Sequence, residues 1–297
     1  MEQAMNTLEQ MRARFEEALP RFMPKQGGRQ TVVAEAMEYA CQAGGKRVRP
    51  VLTMEFCRLC GGEAEAALPF AAAIEMIHSY SLVHDDLPCM DDSPMRRGRP
   101  STHAVYGETM ALLAGDGLLN LAFETMLSPE NRGTLPAERV LSAASALADG
   151  AGITGMVGGQ TIDLVNENKA VDLATLEELQ QGKTAALLIA ACVMGARLAG
   201  ASREQEEAAR TYGENIGLCF QIVDDILDVT SSAEAMGKPV GHDAEGGKNT
   251  YVSLLGLEES RKLAQQRTDL AVQALDVFGS EADALRRFAT ELLHRTH

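Results

Sequence analysis

Basic residues, prolines, closely paired cysteines and long apolar runs are all scarce in this chain, and each shortage excludes something. Lys and Arg number 27 against 42 Asp and Glu, a formal charge of −15 over 297 residues. That balance excludes a general DNA- or RNA-binding surface, which needs a basic footprint. It leaves room for small anionic ligands, because a local basic cluster can oppose the global charge. The cysteines offer one close pair, Cys57 and Cys60, with no second pair and no histidine nearby. Neither a disulfide framework nor a zinc site follows from such spacing. The N-terminal stretch MEQAMNTLEQMRARFEE lacks the apolar core of a signal peptide. The longest apolar run, 185–196, stops at Arg197 and falls short of the ~20 residues of a membrane helix. We therefore expect a cytoplasmic chain with no membrane span. Alternating runs of β-branched residues are missing as well. No proline lies between Pro136 and Pro239 or after Pro239, so long helices are free to run there.

What is abundant is Ala, Leu, Met, Glu and Gln, the strong helix formers. The pattern predicts helices over 1–19, 31–43, 50–60, 66–90, 109–126, 137–151, 156–165, 173–198, 203–229, 251–279 and 281–294. Length alone suggests about two domains. No repeat, low-complexity segment or long linker divides the chain, so we expect a single all-helical domain over 1–297. The run 185–196 is apolar on every side, and such a helix belongs in the middle of a bundle. The stretch 237–249 is polar and glycine-rich, carries Lys238 and Lys248, and is a candidate lid.

Two acidic clusters stand out. His84-Asp85-Asp86-Leu87-Pro88-Cys89-Met90-Asp91-Asp92 follows an apolar helical stretch. Gln221-Ile222-Val223-Asp224-Asp225-Ile226-Leu227-Asp228 lies inside another. Asp224 and Asp228 are four residues apart and leave one face, which Gln221 shares. Carboxylates among Ile and Leu are costly unless cations neutralise them. Oxygen donors without His or Cys favour a hard ion, Mg2+ or Mn2+. An EF-hand spacing is not present. On an ideal helix Asp85 shares a face with Asp92 and not with Asp91, while Pro88 should distort the turn between them.

Basic residues sit beside the first cluster. Arg96 and Arg97 follow it, and Gly44-Gly45-Lys46-Arg47-Val48-Arg49-Pro50 supplies more in a short loop between helices. Guanidinium groups chelate phosphate oxygens in pairs, and Lys adds a point charge. An acidic, metal-demanding site beside a basic one describes two polyphosphates bound in different ways.

These residues resemble the trans-type polyprenyl diphosphate synthases, in particular the bacterial farnesyl diphosphate synthases. The two aspartate-rich motifs of that family are matched at 85–91 and 224–228. The flanks GGKRVRP at 44–50, IHSYSLVHDDLPCMDD at 77–92, RRGRPSTH at 96–103, LAGD at 113–116, GGQTIDL at 158–164, GKT at 182–184 and GKNTY at 247–251 match too. The resemblance implies the all-α isoprenoid synthase fold, a helical bundle around a central cavity, assembled as a homodimer. It implies an allylic diphosphate held through about three Mg2+ ions, with Asp85, Asp91 and Asp224 as principal ligands. Asp86, Asp92 and Asp228 are second choices. Lys46, Arg49, His78 and Arg97 match groups that bind isopentenyl diphosphate. Arg96, Lys183 and Lys238 match groups on the allylic diphosphate, and Thr184 and Gln221 line the region where the cation forms. The implied reaction is head-to-tail prenyl transfer, which needs no nucleophilic side chain. Tyr80, five residues before Asp85, resembles the aromatic floor of farnesyl-producing relatives, and Ser81 beside it is small enough to let the first isoprene units pass. That implies a C15 product. Geranylgeranyl diphosphate synthase is the alternative; a terpene cyclase would not need the second basic site, and a noncatalytic synthase subunit would have lost acidic motifs that this chain keeps.

Overall fold

The computed structural model describes residues 2–25, 27–230 and 249–295. Lys238, Lys248 and almost all of the candidate lid lie outside the described residues.

Helix formers make helices almost throughout. The chain runs α1 (Glu2–Ala18), α2 (Thr31–Cys41), α3 (Val48–Leu59), α4 (Leu68–Asp85), α5 (Thr102–Tyr106), α6 (Glu108–Leu127), α7 (Pro129–Arg132), α8 (Ala137–Ala151), α9 (Met156–Val165), α10 (Leu173–Gln180), α11 (Ala186–Ala199), α12 (Arg203–Thr230), α13 (Tyr251–Leu255), α14 (Leu257–Ala274) and α15 (Asp283–Leu293). The expected bundle is present. The Ala-rich helix α11 packs on α3, α8 and α12, and α4 packs on α3 and α6. Phe70, Ala71, Ala72, Ala73, Ile74, Met76 and Ile77 of α4 are wholly buried. Burying large side chains of this kind is worth ~1.5–3 kcal/mol each against leaving them in water.

Four boundaries depart from the expected helices. First, α4 stops at Asp85 and does not reach residue 90. Pro88 brings no N–H and disfavours a helical residue before it. Second, the helix expected over 173–198 is interrupted by a π-helical turn, Gln181–Ala185. Third, 251–279 is broken at Gly256, whose φ of 81° suits glycine and few other residues. Past α14 it continues as a 3-10 segment, Leu275–Ala282. Fourth, a two-residue antiparallel hairpin pairs Met95–Arg96 with Arg99–Pro100. Arg97 and Gly98 at its tip both have positive φ, 52° and 74°, as a tight hairpin turn requires.

Four helical stretches, 64–85, 108–127, 137–165 and 173–199, are long and apolar enough to cross a membrane by length and composition. This corrects the impression left by the single run 185–196. The interior of the bundle accounts for this character in 64–85, whose apolar window is 78% buried, and less in 108–127, where it is 39% buried.

Candidate active site

The end of α4 carries the first acidic motif. Past Asp85 the backbone coils back on itself. The Asp91 N–H donates to the Asp85 carbonyl at 2.9 Å, and the Ser93 N–H to that of Asp86 at 3.2 Å. Residues six apart thus meet at one helix terminus, which removes the conflict with ideal helical phase. Burial pushes the Asp85 carboxyl up to about 6; Lys183 and Arg96 oppose the shift, and Asp91 and Asp86 add to it. Gln160 Nε2 donates to Asp85 at 3.1 Å. Asp86 is buried and takes a forked contact from Arg96, 2.5 Å at the shortest. Arg96, expected to face a diphosphate, is therefore held by a neighbouring carboxylate.

Facing this terminus is the π-helical turn with Lys183 and Thr184. Turns of this type widen a helix and are often found at functional sites. The sequence on α9 explains how it comes so close: a side chain on Gly159 would collide with the backbone of Gly182 and Lys183. Lys183 Nζ meets Asp163 at 2.5 Å. Thr184 Oγ1 donates to Gln221 Oε1 at 3.5 Å, and Gln221 Nε2 donates to Asp225 at 3.0 Å. Asp225, buried, also accepts from the Tyr251 N–H at 2.8 Å and so ties α12 to α13. Asp224 is half-exposed and forms an ion pair with Arg295, whose guanidinium also lies 4.4 Å from the centroid of the Phe220 ring. Asp228 is buried. A chain of contacts thus leads from the first acidic motif through the π turn to the second.

Two of the four expected binders of the second diphosphate, Arg49 and His78, line one cavity together with Tyr80, Ser81, Asp85 and Lys183, and its volume is 420 Å³. Arg97 lines a small separate one of 30 Å³ with Arg96, Asp86 and Tyr39. The Nε of Arg49 is buried without a hydrogen-bond partner. Burial pushes the Arg49 guanidinium down to about 10, against Glu75 and with Arg97 adding to the fall. Burial, and then Arg49 and Arg97, hold the His78 imidazole well below its usual 6.5. Arg97 donates to the Gly44 carbonyl and lies 3.5 Å from His78 Nε2. Lys46 departs from the expected grouping: it is exposed and lines a separate 160 Å³ cavity with Leu8, Val48 and Phe288. Tyr80 is nearly buried and meets His84 edge to face, with ring centroids 5.7 Å apart. A larger, 530 Å³ cavity opens behind the π turn, against Gln181 and Gly182; none of the expected site residues lines it.

Among the described residues, no three His, Cys, Asp or Glu side chains form a ready-made metal cage. The donor set still suits Mg2+, which is usually held by one or two carboxylates together with substrate phosphates rather than by an all-protein shell. Asp85 and Asp91 at one helix end and Asp224 on α12 are carboxylates of that kind. Several participants escaped selection from the sequence. Gln160 and Asp163 lie in the quoted GGQTIDL segment, but nothing in that segment says what they touch. Glu75 looks like an ordinary helical residue, and Arg295 lies far from any motif.

Known proteins resemble this chain over most of its length. A family model described as polyprenyl synthetase matches residues 30–282. The chain is 48% identical over 267 residues to geranylgeranyl pyrophosphate synthase 3, chloroplastic, of Arabidopsis thaliana, covering 89% of this chain and 74% of that protein. An apo crystal structure of an FPP/GFPP synthase from Zymomonas mobilis superposes with a TM-score of 0.86 at 40% identity, over 98% of this chain and 99% of that one. A geranyltransferase from Legionella pneumophila gives 0.87 at 32% identity, over 99% and 98%.

Proposed function

The chain belongs to the polyprenyl synthetase family and is a prenyl diphosphate synthase; we propose that it joins isopentenyl diphosphate to short allylic diphosphates and stops at geranylgeranyl diphosphate, C20. The observation that carries the reaction is one cavity lined by Asp85 and Lys183 together with Arg49 and His78. The name and 48% identity of the Arabidopsis relative favour C20 over the farnesyl product expected from the sequence. A second reading, C15, rests on Tyr80, whose nearly buried ring lines the cavity.

In the proposed reaction the allylic C–O bond breaks, the double bond of isopentenyl diphosphate attacks that carbon, and a proton leaves with the departing diphosphate. Asp85, Asp91 and Asp224 would hold Mg2+, which when bound would supply neutralising charge for the leaving group. Lys183 and Arg96 add positive charge on the same side once they turn from Asp163 and Asp86, which hold them here. Thr184 lines the cavity, and with its hydrogen-bond partner Gln221 it would border the region where the cation forms. Arg49, His78 and Arg97 take the second diphosphate, and the unpartnered Nε of Arg49 is a donor that a phosphate oxygen would satisfy. Leu82, Met156 and Leu187 line the cavity and keep water from the cation.

We further propose that the enzyme is a homodimer built on α6, where Leu112, Leu113, Leu119 and Leu127 are all more than a third exposed. Diphosphate release from isopentenyl and dimethylallyl diphosphates, followed by chromatography of the lipid, tests both activity and length. A C20 product supports the main reading, C15 the second, and no chain elongation contradicts both.

A further inference from the structure

Arg47 stands between two expected substrate-binding residues, Lys46 and Arg49, yet it turns away from the cavity into the bundle. It is 4% exposed, and its φ of 50° lies in the left-handed region. A non-glycine residue keeps that conformation only where its surroundings hold it. Three helices do so. Nη1 donates to Glu75 of α4 at 2.5 Å, Nε to Glu16 of α1 at 2.8 Å, and Nη2 to the Cys41 carbonyl of α2 at 2.9 Å.

Glu75 is the informative partner. It is 3% exposed and lies one turn before His78 on α4. Its charge also reaches Arg49 and Arg97, the two guanidiniums beside His78. A buried carboxylate without its own cation would turn to those two. Arg97, in addition, leans on the loop that Arg47 pins. It donates to the Gly44 carbonyl, and a side chain on Gly45 would come within 2.6 Å of its Nη1.

We propose that Arg47 is a positioning residue for the non-allylic diphosphate: it neutralises Glu75 and pins the 44–47 loop, and so leaves Arg49 and Arg97 available to the anion. Its own charge is taken up by Glu75 and Glu16 and does not touch substrate. This inference rests on the reading of Arg49, His78 and Arg97 as the isopentenyl diphosphate subsite.

The test separates this role from that of a simple structural ion pair. R47M should raise KM for isopentenyl diphosphate by about tenfold or more, about 1.4 kcal/mol, with kcat and the allylic KM within about threefold. The double variant R47M/E75Q, which removes the stranded carboxylate, should recover most of that loss even if its Tm remains low. E75Q alone, with Arg47 still held by Glu16, keeps the test decisive if R47M does not fold: it should leave KM for isopentenyl diphosphate unchanged or lower. Titration calorimetry of wild type and variants with isopentenyl diphosphate alone should give the same order. The inference is overturned if R47M moves both KM values equally, if it lowers only Tm, if E75Q fails to rescue it, or if E75Q alone raises that KM about tenfold. Wild-type protein that neither binds isopentenyl diphosphate nor releases diphosphate would instead remove the subsite reading on which the inference stands.

Discussion

The backbone N–H of Asp91 closes on the carbonyl of Asp85 at 2.9 Å. This contact carries the chain around the end of α4 and brings together the backbones of two acidic residues that a continuing helix would have pointed apart. The Asp91 charge is close enough to help push the Asp85 carboxyl up.

Removal of either acidic side of the site should stop turnover and spare the fold. Asp85→Ala and Asp224→Ala should each lower kcat more than about tenfold, a barrier increase above ~1.4 kcal/mol. Asp85 is part-buried at a helix end and Asp224 half-exposed, so circular dichroism should show little change in Tm. Variants that keep more than about a tenth of wild-type kcat would contradict the metal-ligand roles proposed for these residues.

The two diphosphates should be separable by mutation. Arg49→Ala should weaken isopentenyl diphosphate most, because it takes away the buried donor without a partner. Lys183→Ala should act mainly on the allylic side, since Lys183 lies against Asp163 and influences Asp85. Initial-rate kinetics with each substrate varied in turn checks this. Equal effects of Arg49→Ala on both KM values would count against two separate subsites.

His78 should act as a neutral ring. Burial and the neighbouring arginines depress its pKa, so the unfolded chain takes up a proton near pH 6.5 that the folded chain refuses. The sign follows: this group costs stability as pH falls below about 6.5 and costs nothing above it. Denaturant unfolding from pH 5 to 8 should show a steeper acid loss for wild type than for His78→Gln. Equal slopes would mean that His78 charges freely in the folded protein.

Product length should respond in opposite directions to two adjacent changes. Tyr80 lies five residues before Asp85, ~7.5 Å deeper at ~1.5 Å per residue, and Ser81 about one turn from Asp85. Tyr80→Ala opens the cavity and should lengthen the product. Ser81→Phe raises the floor and should shorten it toward C10. Chromatography of the dephosphorylated lipids reads the outcome; unchanged length in both variants would mean that the tail does not pass these residues.

The helical architecture is legible in the sequence because helix formers, glycine breaks and prolines agree with one another. Residues 137–151 and 156–165 become α8 and α9 with those bounds. The acidic motifs are legible because carboxylates amid Ile and Leu demand a reason. Less legible is whatever depends on distant partners. In 173–198 only Gly182 and Thr184, weak helix formers in QGKTA, hint at the π turn at Lys183, and a lone glycine does not distinguish such a turn from an uninterrupted helix. Lys46 sits in a basic segment that suggests the shared cavity, yet local geometry turns it toward α1 and α15. Arg295 finds Asp224 only once α15 has packed back beside α12.

Diphosphate release from isopentenyl and dimethylallyl diphosphates, measured with Mg2+ and after chelation by EDTA, tests the central claim most directly. The account predicts one diphosphate released for each isoprene unit added, a prenyl diphosphate longer than either substrate, and loss of both signals on chelation, restored by Mg2+. Elongation that continues undiminished in EDTA, or no elongation with Mg2+ present, would contradict metal-assisted prenyl transfer at the paired aspartate motifs.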